Sequence, residues 1–361
     1  MNARPLLVLL ALVTLVALVP ASLPAQGYGG LGTTPDAGYE TVLPDKPLTF
    51  PQDHSAHPGF RIEWWYVTAN LEDQNGVPMG LQWTLFRNAL TPQSEPLEGW
   101  GNRQFWLGHS AVTTKSTHYS DERYARGGVG QAGVSLSPFA AWIDQWQMTG
   151  LSVPPKDFLH KIRLQATSDT YQYDVTLTAK GPLIRHGRSG YSIKSDEGQA
   201  SYYYSQPFYE VSGLIILDGE RHTVRGKAWL DREWSSQPLA ENQSGWDWFS
   251  LHLEDGRKLM AFQLRHTDGK TYSSGTLIST EGSAAPLAPE ALSFTPLEKS
   301  TVAGREIPTK WRVSVPGEGL SLTVTALNPQ SWMENSFGYW EGPVRIDGAA
   351  GGVGYLEMTG Y

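Results

Sequence analysis

The chain writes one β-strand pattern twice, and this duplication limits its possible folds more than any other feature. Trp64-Trp65-Tyr66-Val67-Thr68-Ala69-Asn70-Leu71-Glu72-Asp73 aligns without a gap with Trp246-Asp247-Trp248-Phe249-Ser250-Leu251-His252-Leu253-Glu254-Asp255. Each copy turns through glycine into a second strand that ends in arginine, Arg87 in one case and Arg265 in the other. The closing segments echo as well, residues 224–231 resembling 351–357. Halves that match at their first and last strands point to a duplicated β unit. Aromatic and branched residues gather in short runs at 61–71, 80–87, 174–179, 211–217, 259–265 and 320–327, with Gly, Asp and Asn between them. Beyond the first 25 residues no long segment keeps a 3.6-residue period. The expected fold class is all-β, with two tandem antiparallel barrels meeting in the polar stretch 235–244, which contains Pro238.

The N-terminus sets the expected compartment. A short positive start, Met1 to Arg4, precedes an apolar run at 6–19 and then the small residues around Ala21 and Ala25. That order is a secretory signal peptide over residues 1–25, with cleavage after Ala21 or Ala25. The run is shorter than the roughly 20 residues of a spanning helix, so a retained anchor is the weaker alternative. Residues 26–49 form a Gly-, Pro- and Thr-rich extended lead-in, 50–236 the first barrel and 237–361 the second. No second apolar stretch of spanning length follows, and the expected location is secreted or periplasmic. The chain has no cysteine, which excludes disulfides, thiolate metal sites and a Cys nucleophile. A net charge of −8 argues against a nucleic-acid partner.

Three motif groups carry a family resemblance. Phe50-Pro51-Gln52-Asp53-His54 with His57, followed by Glu63-Trp64-Trp65-Tyr66, opens the first. Residues 226–236 with Gly245-Trp246-Asp247-Trp248-Phe249 form the second, and Tyr339-Trp340-Glu341-Gly342 with 354–361 the third. Together they resemble the carotenoid 1,2-hydratase-like (AttH-like) proteins over about residues 48–361. The resemblance implies two lipocalin-like barrels and, often, export. It also implies an association with ABC-transporter permeases, making such a permease a candidate partner. Members of the exported branch are commonly labelled secreted hydrolases. Neither a Gly-x-Ser-x-Gly elbow nor a His-Glu-x-x-His helix is present to support that label.

Alternation along the strands places the candidate chemistry. Glu63, Trp65, Val67, Ala69 and Leu71 share one face, while Trp229, Asp231 and Glu233 lie together opposite Leu230, Arg232 and Trp234. A closed barrel pairs its first strand with its last, which is expected to gather Glu63, Asp231 and Glu233 at one mouth. Crowded carboxyls near aromatic rings acquire raised pKa values, and one kept neutral serves as a general acid. By resemblance, Asp231 stands where the hydratases carry an essential aspartate. Tyr202 and Tyr204 stand where they carry a histidine and a tryptophan. Three readings of the acids stay open: a structural ion-pair network with Arg232, Arg61 or Arg87; a binding site; and an acid-catalysed hydratase or lyase acting on an apolar alkene. Trp65, Trp83, Trp229 and Phe249 are candidates to line a barrel cavity for a hydrophobic, lipid- or isoprenoid-like molecule, and core packing is the competing role of each. Asp247 and Glu357, a weaker echo in the second half, read as structural. His54 and His57 have metal-like spacing without a third ligand; no metal or cofactor is expected.

Overall fold

The computed structural model describes residues 38–92, 98–237 and 239–361, so the expected signal peptide and the first part of the lead-in lie outside the described residues. Two antiparallel sheets account for nearly all regular structure. The first contains β1 (Ile62–Asp73), β2 (Pro78–Ala89), β3 (Gln104–Thr113), β4 (His118–Arg126), β5 (Ala132–Leu136), β6 (Phe139–Ile143), β7 (Trp146–Gly150) and β8 (Lys161–Thr167). It continues with β9 (Tyr171–Ala179), β10 (Ile184–Arg185), β11 (Tyr191–Ile193), β12 (Ala200–Leu217) and β13 (Glu220–Ser235). The second begins with β14 (Gln243–Leu253), β15 (Lys258–His266), β16 (Thr271–Ile278), β17 (Ala284–Leu287) and β18 (Ser293–Val302). Its remaining strands are β19 (Arg305–Val315), β20 (Leu320–Ala326), β21 (Trp332–Met333), β22 (Tyr339–Gly348) and β23 (Gly352–Met358).

The first sheet runs β4-β3-β2-β1-β13-β12-β9-β8-β7-β6-β5, and the second β17-β16-β15-β14-β23-β22-β20-β19-β18. They curl into a near-barrel and a half-barrel, the lipocalin-like two-domain build expected from the sequence. The duplication is visible in the pairing. β1 lies between β2 and β13, and its sequence counterpart β14 lies between β15 and β23.

The two-residue side-chain period sends alternate residues of the central strands to different cores. Trp65, Val67, Ala69 and Leu71 of β1 pack inside the first sheet with Leu81, Trp83, Leu85, Leu230 and Trp234. Phe249, Leu251, Trp311, Trp340 and Leu356 fill the second. Tyr66, Tyr203, Trp229, Trp248, Phe262 and Leu264 form a third cluster between the sheets. The expected barrel cavity is therefore corrected. Trp65, Trp83, Trp146 and Trp234 are fully buried and pack the interior of the first half, while Trp64, Tyr66, Trp246 and Trp248 line a cleft between the halves.

Candidate functional site

The site is assembled by β1, β12 and β13 from one side and by β14, β15, β22 and β23 from the other. In the β1–β13 register Asp231 is opposite Tyr66 and Glu233 opposite Trp64; in the β12–β13 register Asp231 is opposite Ser205 and Glu233 opposite Tyr203. These side chains share the face turned toward the second sheet. Trp64, Tyr66, Asp231 and Glu233, with Trp246, Trp248, Phe262, Leu264, Tyr339 and Glu357, line a cleft of about 820 Å³, its open mouth included.

Asp231 is buried on this wall. Its Oδ2 accepts from the Tyr203 hydroxyl at 2.7 Å, and its Oδ1 accepts from Trp229 Nε1 at 2.6 Å and from Ser205 Oγ. Burial pushes its carboxyl up to about 7, the charge of Glu233 adding to it, although Ser205, Tyr203 and Trp229 each favour the ionised form. Behind it, His186 Nε2 stands 2.6 Å from Ser205 Oγ, and its Nδ1 stands 2.9 Å from Thr276 Oγ1 on the second sheet. Burial, with Lys194 nearby, drags His186 down to about 3, so the ring is neutral near pH 7. Every member of the row Thr276–His186–Ser205 both donates and accepts. The row therefore suits Asp231 in either charge state: its donors point toward an ionised Asp231 and reverse when the acid is neutral. Trp248 Nε1 donates to the Tyr203 hydroxyl at 3.0 Å, fixing that hydroxyl from across the interface. Glu233 is ion-paired with Lys194 Nζ at 2.7 Å, and Lys194 also lies 4.3 Å from the Phe262 ring.

The structure does not bring Glu63 to Asp231 and Glu233. Their strands are neighbours as expected, but Glu63 pairs with Trp234 and Trp65 with Arg232, which places Glu63 on the opposite face. There Glu63 is buried against Arg87 Nε, Arg232 Nη2 at 3.1 Å and His57 Nδ1 at 3.0 Å. Burial pushes its carboxyl up, yet Arg87, His57 and Arg232 together hold it well below the usual range, so it is an ion-pair anchor and no proton donor at neutral pH. Tyr202 and Tyr204 also face away from the cleft. Tyr202 hydrogen-bonds the backbone of Leu43, and the Tyr204 hydroxyl lies 2.6 Å from His54 Nδ1. Tyr203, between them, is the residue that reaches Asp231. Of the proposed ligand-lining set, Trp65 and Trp83 belong to the first core and Phe249 to the second. Trp229 alone stands at the interface, holding Asp231.

His54 and His57 are engaged with Asp157 at 2.9 Å and with Glu63 and Asp53 at 3.0 and 3.2 Å. Among the described residues no group of three or more His, Asp or Glu side chains is placed so that it could hold a metal ion. Sequence reasoning passed over Tyr203, Ser205 and His186, and it named Tyr66 and Glu341 within motifs without giving them a role. A triple tyrosine run gives alternation no phase, and His186 sits on a short irregular stretch, so neither left a readable signal. No helix among the described residues is long and apolar enough to cross a membrane.

An inter-sheet cleft with a neutralisable carboxyl and aromatic walls is suited to moving a proton on or off an apolar molecule. The comparisons with known proteins agree on the fold. The chain matches the structure of an AttH protein from Nitrosomonas europaea at 34% identity and a TM-score of 0.78, covering 89% of this chain and 99% of that one. Kievitone hydratase from Nectria haematococca matches at 15% identity and a TM-score of 0.65, with 91% and 98% covered. The protein CghA with Sch210972 matches at 13% and 0.55, with 93% and 97% covered. No curated protein matches the chain by sequence. The AttH-like family model matches residues 41–361, and the chain belongs to the AttH-like family.

Proposed function

We propose that this protein binds an apolar, isoprenoid- or lipid-like molecule in the cleft between its sheets and catalyses acid-promoted addition of water to a carbon–carbon double bond, or the reverse elimination. Asp231 is the proton donor. The observation that carries the reading is a buried carboxyl, balanced between neutral and ionised near pH 7, in the wall of a cleft that also presents Trp64, Tyr66, Trp246, Trp248 and Phe262. In the forward direction the Asp231 O–H bond breaks as a C–H bond forms at the less substituted alkene carbon. The resulting cation lies against the faces of Trp64, Trp246 and Trp248, whose quadrupoles favour positive charge. Water then captures the cation and loses a proton. That a hydratase of the same fold exists among the structural relatives supports this reaction class.

The test is Asp231→Asn. Turnover of an acyclic isoprenoid alkene should fall by about 10²- to 10⁴-fold, with the circular-dichroism spectrum and cooperative unfolding preserved. Turnover equal to that of the unmodified protein would remove Asp231 from the reaction. Loss of folding would make the Tyr203–Ser205–Trp229 cluster a structural staple between β12 and β13.

A further inference from the structure

The duplication supplies a second carboxyl on the opposite wall. In the repeat, Trp229-Leu230-Asp231 corresponds to Tyr355-Leu356-Glu357. The pairing keeps the correspondence: Asp231 is opposite Tyr66 on β1, and Glu357 is opposite Trp248, the counterpart of Tyr66, on β14. Tyr66 and Trp248 meet edge to face at 5.3 Å, so the two carboxyl positions flank one aromatic contact at the interface.

Glu357 does not stand alone. It lines the cleft, and Glu341, its direct cross-strand partner, lies buried on the neighbouring strand. Glu341 Oε1 accepts from the Tyr66 hydroxyl, and Tyr339 also hydrogen-bonds this carboxyl. Its Oε2 is buried with no hydrogen-bond partner. An orphaned oxygen on a buried carboxylate is costly, and a proton held between two adjacent carboxyls relieves both the desolvation and the repulsion. Burial raises both glutamates: Glu341 goes to about 8, and Glu357 goes well above the usual range, with Glu341, Asp231 and Glu233 adding repulsion. Trp246 is the group that favours the charged form of Glu357.

The pair has a route outward. The Tyr339 hydroxyl lies 2.9 Å from His109 Nδ1, and His109 Nε2 lies 3.0 Å from Glu122 Oε1. Glu122 is partly exposed at the edge strand β4. Each link is within hydrogen-bond reach, and both Tyr339 and His109 can accept a proton on one side and release one on the other.

We infer that Glu357, backed by Glu341, is the second proton-handling group of the cleft and takes the proton that the adding water must lose. The inference rests on the acid-catalysed reading given above. The balance closes. Asp231 gives one proton to carbon, the alkene π pair forms the C–H bond, and the water oxygen bonds the cation. The oxonium formed by the added water gives its proton to the free oxygen of the neutral Glu357 carboxyl as that carboxyl passes the proton it already holds to Glu341. One proton leaves by Glu341, Tyr339, His109 and Glu122, and Asp231 regains one from solvent, for a net addition of one water. Glu341 is a positioning residue that acts through Glu357.

Two readouts test this separately from Asp231. In the first, difference infrared spectra are recorded at neutral pH in an Asp231→Asn background. They should show the carbonyl stretch of a neutral carboxylic acid, which is lost when Glu341→Gln and Glu357→Gln are combined. A spectrum without that band, or a band untouched by the double substitution, overturns the shared proton. In the second, an isoprenoid alkene with a terminal isopropylidene group is incubated in D₂O. The unmodified protein should both exchange deuterium into the alkene and form the alcohol. Glu357→Gln should keep exchange, the Asp231 step, while alcohol formation drops about 100-fold or more. Glu357→Asp should restore part of it. Alcohol formation at the normal rate in Glu357→Gln, or loss of exchange along with it in a folded variant, overturns the inference and leaves Asp231 as donor. If the unmodified protein neither exchanges nor hydrates the probe, the hydratase reading fails, and the infrared band alone decides the paired carboxyls.

Discussion

Asp231 and Glu63 lie within three register positions of each other on paired strands, yet their surroundings drive their protons in opposite directions. At Asp231 desolvation outweighs three neutral donors; at Glu63 two guanidinium groups and a histidine outweigh desolvation. The consequences for stability have opposite sign. Asp231 titrates above its unfolded value, so its folded form favours the proton, and this contribution declines as pH rises toward about 7. Glu63 titrates below its unfolded value, so its contribution is present above about 4.5 and is lost as pH falls. Tyr203→Phe removes a donor that favours ionised Asp231, so its pKa should rise further. The alkaline limb of the pH–rate profile, where the acid form disappears, should then move to higher pH; a limb that stays put or moves down would contradict the assignment. Arg87→Met leaves the Glu63 charge buried with one guanidinium fewer. Unfolding in urea at neutral pH should then show a loss of about 3–5 kcal/mol, shrinking at acid pH as Glu63 takes a proton.

Strand alternation made half of this arrangement legible and hid the other half. It grouped Trp229 with Asp231 and Glu233, and Glu63 with Trp65, and the closure expected of a barrel placed β1 beside β13. The face of β13 that turns inward was not readable, because the inward set includes a charged residue. Arg232 enters the core because Glu63 and the backbone oxygens of Trp64 and Ser55 accept from its two Nη groups and the Trp65 ring covers it at 3.8 Å. On β12 the phase was lost twice, first in the run Tyr202-Tyr203-Tyr204 and then at the register shift between Gln206 and Tyr209. Two glycines show how closely the repeated strands approach. A Cβ at Gly226 would stand 2.0 Å from the carbonyl oxygen of Asn70, and one at Gly352 would stand 2.2 Å from that of His252. Asn70 and His252 are themselves counterparts in the repeat. Gly226→Ala must therefore push β13 from β1 and should cost about 1–3 kcal/mol in chemical denaturation. An unchanged midpoint would mean that the ladder is looser than described.

Across the whole molecule, the halves are joined by side chains that also build the site. Trp248 reaches Tyr203 at 3.0 Å, Thr276 reaches His186 at 2.9 Å, and Tyr66 reaches Glu341. Asn70 Nδ2 donates to Gly354 O at 2.7 Å, tying β1 to β23. Neither half contains the cleft by itself, and reading each barrel as a separate container looked for a cavity where the packed cores lie. The fold was legible because core patterning repeats over many residues. The cleft was not, because it depends on which outer faces meet, and no periodicity within one strand records that. The central claim, that an apolar molecule sits between the sheets against Asp231, is tested most directly by photolabelling with an isoprenoid chain bearing an aliphatic diazirine, followed by peptide mapping. The account predicts saturable adducts on Trp64, Tyr66, Trp246, Trp248 and Leu264. Saturable adducts on Trp65, Trp83 or Phe249, inside the packed halves, would contradict it.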